Sequence, residues 1–168
     1  MKLAIIIPYR NRKEYLDILL EHLPKYLEDK NNIHNYDIIV SEQLTEQGFN
    51  RGLSVNAGVA YCRKFLDSEY LVAHNVDMIP VRNVDYSYRD CYISWFLDAG
   101  GFNCSLQDFI KINGYCNTYS GWGTEDTDLL DRVGFYNLHS KAWAKDFAPI
   151  EKPVICNLEF SDSYDSKA

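Results

Sequence analysis

Residues 3–12 read Leu3-Ala4-Ile5-Ile6-Ile7-Pro8-Tyr9-Arg10-Asn11-Arg12, an apolar run that meets a proline and passes into two arginines. A run with no polar residue on either face is a strand covered on both sides, as in a parallel sheet between helices. Here it is expected to stop at Pro8. The period then changes. From Lys13 onward, Tyr15, Leu16, Leu19, Leu20, Leu23 and Leu27 recur at three and four, which predicts a helix that Pro24 kinks or splits. A polar loop with Asn31, Asn32, His34 and Asn35 precedes a second strand at Tyr36–Val40.

Asn50 is placed to cap a second helix over Arg51–Leu66. Leu53, Ala57, Ala60 and Lys64 form one stripe of it, and Val55, Val59, Cys62 and Leu66 another. Glu69–Ala73 is a third buried strand leading into His74-Asn75-Val76-Asp77. This alternation of strands and helices indicates an α/β domain with a largely parallel sheet. Ligands of such sheets sit outside the carboxyl ends of the strands. Tyr9–Arg12 and His74–Asp77 fall there.

The second half is less regular. Tyr86–Phe96 is aromatic and reads as one or two strands, and Gly100-Gly101 as a turn. Ser105 followed by Asp108 is a helix-start pattern, with the helix ending at Gly114. Thr124 is expected to cap a helix reaching about Val133, and Val154–Phe160 a last strand before a polar tail.

The whole sequence has 168 residues, which suits one domain, and 46% hydrophobic residues, enough for a sizeable core. A net charge of −7 argues against a nucleic-acid binder or a broadly basic membrane face. The N-terminal apolar run is too short for a leader or a span. The five cysteines are scattered with no Cys-x-x-Cys, so free thiols in a reducing compartment are expected. Location in a cytoplasm, bacterial or that of a host, is the expectation that follows.

Three segments carry chemistry. Pro8-Tyr9-Arg10-Asn11-Arg12 offers two guanidinium forks for phosphate oxygens and an aromatic able to stack on a base, although a solvated turn reads equally well. Asp77 at a strand end is suited to a hard cation such as Mn²⁺ or Mg²⁺, or is simply a turn former; His74 reads as structural. Gly121-Trp122-Gly123-Thr124-Glu125-Asp126-Thr127-Asp128 sets an indole between glycines beside a row of acids. The helix dipole accounts for acids at a helix start but not for that tryptophan. An indole packs against a sugar ring, and adjacent carboxylates bind hydroxyls or take a proton from one.

In this order, the segments resemble the β-1,4-galactosyltransferase family of inverting, metal-dependent glycosyltransferases. The resemblance rests on Ile6–Arg12, on Phe49-Asn50-Arg51-Gly52 with Asn56 and Gly58, and on Val76-Asp77 with Pro80 and Gly100-Gly101. It closes with Phe109, Ile112–Tyr115, Gly121–Asp126, Asp128 and Arg132, covering about residues 5–133. It implies a GT-A fold: a Rossmann-like, three-layer α/β/α domain with a mixed, mostly parallel sheet. Residues 1–80 would be the nucleotide-binding half, 81–160 the acceptor side and 161–168 a frayed tail.

The resemblance also implies roles. Pro8, Tyr9, Arg10, Arg12, Phe49, Arg51, Asn75, Val76 and Asp77 would bind the UDP-sugar donor. Asp77 would hold the metal, Mn²⁺ or Mg²⁺. Trp122, Gly123 and Glu125 would bind a saccharide acceptor, and Asp126 would be the catalytic base. Asn75 stands where the family usually has an aspartate, and Thr127 where many members have an Asp. Phe160 stands where members carry a metal-binding histidine. These departures, with the brevity of the chain, motivate an alternative: a non-catalytic nucleotide-sugar or glycan-binding module, or a subunit of a larger transferase complex. No nucleic-acid partner is expected, while peripheral contact with a membrane or a glycosylation complex is compatible with the reading. The absence of Gly-x-Gly-x-x-Gly after the first strand argues against a dinucleotide cofactor.

Overall fold

The computed structural model describes residues 1–44, 46–81, 84–88, 92–96, 101–121, 123–136, 139–142 and 147–149. Strand β1 (Leu3–Tyr9) is buried along its whole length. Its alternate residues face opposite ways. Leu3, Ile5 and Ile7 pack with helix α1 (Lys13–Asn31) through Tyr15, Leu19, Leu23, Tyr26 and Leu27. Ala4 and Ile6 pack with helix α2 (Arg51–Phe65) through Val55, Val59 and Cys62. Each fully buried Leu or Ile contributes about 1.5–3 kcal/mol. The uninterrupted apolar run therefore holds helices to both faces of the sheet.

The strands that follow are β2 (Tyr36–Glu42), β3 (Tyr70–Ala73), β4 (Met78–Pro80), β5 (Tyr92–Phe96) and β6 (Gly101–Ser105). Helices α3 (Leu106–Lys111) and α4 (Glu125–Phe135) come next, then β7 (His139–Ala142) and β8 (Phe147–Pro149). The described main sheet has the order β2-β1-β3-β6-β5-β7, and β4 pairs antiparallel with β8 apart from it. Pairings β1–β2, β1–β3 and β5–β7 are parallel, whereas β6 runs against both β3 and β5. Helix α1 covers one face, and α2, α3 and α4 the other. The expected three layers and mixed, mostly parallel sheet are present. Among the described residues, no helix is long and apolar enough to cross a membrane.

Close packing of α2 on β1 depends on Gly58, where an added Cβ would lie 2.5 Å from Ile6 Cγ2. The α2 cap is as expected, with Asn50 Oδ1 accepting from Leu53 N–H at 2.7 Å. Of its two stripes, the one with Val55, Val59 and Cys62 is buried, while Leu53 is exposed. The Ser105 cap also forms, its Oγ accepting from Asp108 N–H at 2.9 Å.

Several expectations are corrected. β1 does not stop at Pro8 but continues to Tyr9, with Pro8 opposite Ser41 of β2. Ile6 offers its carbonyl toward β3, to His74 N–H. Pro8, two residues on, faces the same side, past the last β3 partner at Ala73. Its missing N–H therefore costs no ladder bond. Helix α1 is not split at Pro24. β2 runs two residues further than expected, to Glu42. Among the described residues of Tyr86–Phe96, Tyr92–Phe96 form one strand, and Tyr86 before it is a buried core residue. Helix α3 ends at Lys111, before Gly114. Thr124 precedes α4 without a side-chain cap bond, at φ 70, a left-handed conformation for a β-branched residue. The strand expected at Val154–Phe160 lies outside the described residues.

Candidate active site

The loops after β1 and β3, the start of α2 and the start of α4 meet at one end of the sheet. Arg12 Nη1 donates to Asp77 Oδ2 at 2.7 Å, joining the two loops. Arg51, the first residue of α2, is almost enclosed, with 11% of its side chain exposed. Its Nε donates to Asn75 Oδ1 at 3.0 Å. Its Nη1 donates to Tyr115 Oη at 2.9 Å and to Asp126 Oδ1 at 3.0 Å. Its guanidinium also lies over the Tyr115 ring, 5.4 Å from the centroid. Burial works against the Arg51 charge, but Tyr115, Asp126 and Glu125 outweigh it and raise its pKa. The arginine stays charged and ties the strand-end segment to α4.

Arg10 takes another direction. Its guanidinium donates to the Gln47 carbonyl and stacks 5.5 Å from the Phe49 ring centroid. Gln43 organises this loop by donating to the Gly48 carbonyl (3.1 Å) and accepting from Asn50 N–H (2.8 Å). Gly121 N–H donates to the Phe49 carbonyl at 3.0 Å, which seats the start of the Gly-Trp-Gly segment on the same loop. Trp122 lies outside the described residues. Gly123 borders open space. Glu125 is 8% exposed, and its Oε2 is buried without a hydrogen-bond partner among the described residues. Burial, followed by the neighbouring Asp126 charge, pushes the Glu125 carboxyl up.

The expected site residues thus divide. Arg12, Arg51, Asn75, Asp77 and Asp126 are brought together by direct hydrogen bonds. Arg10 and Phe49 form a neighbouring pair. Stacking of Tyr9 on a base is corrected, because Tyr9 is buried in the α1-side core. Val76 is buried in the same core, and Pro8 within β1, so these three could meet a donor only through their backbone. The arginines expected to face solvent and phosphate are instead mostly engaged with protein groups.

His74 is structural, as expected. It is fully enclosed, with Nε2 3.0 Å from Tyr86 Oη and Nδ1 2.8 Å from the Asn75 carbonyl. Burial lowers its pKa to about 4, so the ring is neutral near pH 7.

Among the described residues, no group of three or more His, Cys, Asp or Glu side chains could hold a metal ion. Asp77 is the carboxylate in reach of the two loops, and His74 is already engaged. Position Phe160 lies outside the described residues. Mg²⁺-like cations commonly bind through one or two carboxylates, with substrate phosphates and water completing the shell. Asp77 fits that mode and does not form a closed protein cage.

Tyr115 and Asn56, both within the motifs that carry the resemblance, hold the site together. Asn56 Nδ2 donates to the Tyr115 carbonyl at 2.7 Å, and Tyr115 N–H donates to Asn56 Oδ1 at 3.0 Å. Both carry the site although neither is a usual acid, base or ligand by residue type. A spacing pattern has no means of marking them.

An α/β sheet with arginines, an aspartate and an acidic helix start at the carboxyl ends of its strands defines a Rossmann-like α/β domain with its candidate ligand site at that edge. Residues 1–92 match the family described as the N-terminal region of glycosyl transferase group 7, and residues 83–153 match the N-terminal domain of galactosyltransferase. The chain belongs to this galactosyltransferase family, and its fold is GT-A. It is 36% identical over 151 residues to β-1,4-galactosyltransferase 5 of Mus musculus, covering 79% of this chain and 37% of that protein. Identity is also 36% over 151 residues with β-1,4-galactosyltransferase 1 of Bos taurus, covering 80% and 37%. A β-N-acetyl-D-glucosaminide β-1,4-N-acetylglucosaminyl-transferase of Lymnaea stagnalis is 37% identical over 150 residues, covering 79% and 30%.

Among solved structures, a Drosophila β-1,4-galactosyltransferase 7 in complex with manganese, UDP-Gal and xylobiose superposes with a TM-score of 0.82 at 21% identity. That match covers 99% of this chain and 75% of the other. The chain spans 30% to 37% of the length of these three curated relatives. Its first and last residues therefore carry no information on location, and the cytoplasmic expectation is not carried forward.

Proposed function

We propose that this chain is the core of an inverting glycosyltransferase that moves galactose or N-acetylgalactosamine from a UDP-sugar to a saccharide hydroxyl. The observation that carries this reading is the Arg51 guanidinium, which holds Asn75 of the donor-side loop and Asp126 of α4 at 3.0 Å each. Residues 1–80 would supply the donor side, and the later residues the acceptor side. Family membership and the relatives' names support the chemistry.

In this reading, Arg10 and Arg12 bind the diphosphate, with Arg12 exchanging Asp77 for phosphate oxygens. Arg forks match phosphate geometry. Asp77 would hold Mn²⁺ or Mg²⁺, which when bound offsets the charge of the departing diphosphate. Asp126 takes the proton of the acceptor hydroxyl as that oxygen bonds to the anomeric carbon. The bond from that carbon to the diphosphate oxygen breaks on the opposite face, and UDP leaves. A single displacement inverts the centre and needs no carboxylate nucleophile. Glu125, buried next to Asp126, would accept a hydrogen bond from the acceptor, and Trp122 and Gly123 would border the sugar.

The test is incubation with UDP-galactose or UDP-N-acetylgalactosamine, Mn²⁺ and saccharides ending in N-acetylglucosamine or xylose. Transfer that is lost in Asp126→Asn, while UDP affinity stays within about twofold, is the expected result. The Asn oxygen still accepts from Arg51, so folding is spared. Absence of both transfer and donor hydrolysis would overturn the reading. The Arg12–Asp77 pair favours one second reading, a binding module, for which UDP binds independently of metal and is never turned over.

A further inference from the structure

Tyr115 is held from every side. Asn56 hydrogen-bonds both its N–H and its carbonyl. Its ring packs against Phe102 and Phe109, with centroids 5.7 and 6.3 Å away. On the α2 side, a Cβ at Gly52 would come within 2.8 Å of Tyr115 Cβ, so that position has no room for a side chain. The residue is 2% exposed. A phenylalanine would fill the same space, and a buried hydroxyl costs free energy unless it is hydrogen-bonded. The Tyr115 hydroxyl is bonded twice: it accepts from Arg51 Nη1 at 2.9 Å and donates to Asp126 Oδ1 at 2.8 Å. Burial raises the phenol well above its ordinary pKa, so the proton that it donates stays in place.

We infer that Tyr115 is a positioning residue for Asp126, its hydroxyl fixing the carboxylate so that Oδ2 faces the acceptor proton. Arg51 and Tyr115 converge on the same oxygen, Oδ1. Two donors on one oxygen restrict the rotation of the carboxylate plane, and 38% of the Asp126 side chain remains exposed to meet an acceptor. The hydroxyl works through Asp126 and touches no substrate. The inference rests on Asp126 as the base.

The experiment is Tyr115→Phe, which keeps the ring and its packing. Transfer from UDP-galactose, affinity for UDP and thermal unfolding are measured beside Asp126→Asn. Misplacement of a catalytic group by about 1 Å costs on the order of 10²-fold. The expected kcat loss is therefore about 10- to 100-fold, with the donor KM and UDP Kd within about twofold. A merely structural role would lower UDP affinity and thermal stability together with kcat. Wild-type kcat in Tyr115→Phe, with Asp126→Asn inactive, overturns the inference and leaves the base assignment standing. Full activity in Asp126→Asn overturns the base assignment and the inference with it. A kcat loss matched by lost UDP affinity also overturns the inference.

Discussion

Arg51 and Asp126, 75 positions apart in sequence, form an ion pair of 3.0 Å at the mouth of the sheet. The same arginine reaches Asn75 through Nε and Tyr115 through Nη1, so two nitrogens of its planar fork serve three partners. A lysine keeps the charge but not the planar fork, and one ammonium does not span the three partners. Arg51→Lys is expected to lower kcat/KM for transfer by at least about tenfold, equivalent to roughly 1.4 kcal/mol. Steady-state kinetics with UDP-galactose measure it. Unchanged kcat/KM would show that the fork is not needed.

Arg12 and Asp77 form a second pair, with 13% and 16% of their side chains exposed. A cation arriving at Asp77 competes with that guanidinium. Replacing Arg12 with Gln removes the competitor, which for a partly screened pair is worth about 1 kcal/mol, or roughly fivefold. Without nucleotide, Mn²⁺ should bind Arg12→Gln about fivefold more tightly, while UDP binds more weakly. Titration calorimetry reads both. Equal or weaker Mn²⁺ binding would mean that Asp77 does not meet the cation.

Gly58 has no room to grow. A methyl there would sit 2.5 Å from Ile6 Cγ2, in the α2–β1 contact. Overpacking of this kind costs about 1–3 kcal/mol. The urea midpoint of Gly58→Ala should fall with an unchanged slope. A midpoint equal to that of the parent would sink this packing account.

His74 makes stability depend on pH. Its folded pKa is about 4 against an ordinary 6.5. Between those values the unfolded chain binds more protons than the folded one, so stability rises with pH. The contribution is fully present above 6.5 and is lost as pH falls toward 4. The gap is worth about 3 kcal/mol at most. Urea unfolding at pH 7.5 and 4.5 should show a smaller drop for His74→Gln than for the parent. Equal drops would contradict the assignment.

Local features of this protein were legible in its sequence. The all-apolar run Leu3–Ile7 announced a strand buried on both faces, because only such a strand tolerates no polar position. The three-and-four spacing after Lys13 announced α1, and Asn50 and Ser105 announced two caps, since both are properties of neighbouring residues. The acids of α4 were found by the same local reading. The ordered motifs were enough to reach the family.

Tertiary structure decided the rest. Pro8 could stay inside β1 only because β3 ends before it, a matter of register between distant segments. Tyr9 and Val76 turned inward because α1 covers that face of the sheet. Arg51 and Tyr115 became the centre of the candidate site because α2, the segment before α4 and the loop after β3 converge there. Periodicity and capping act over a few residues, and the sequence by itself determined those. Which buried charge meets which hydroxyl depends on packing across the sheet, and no spacing along the chain encodes it.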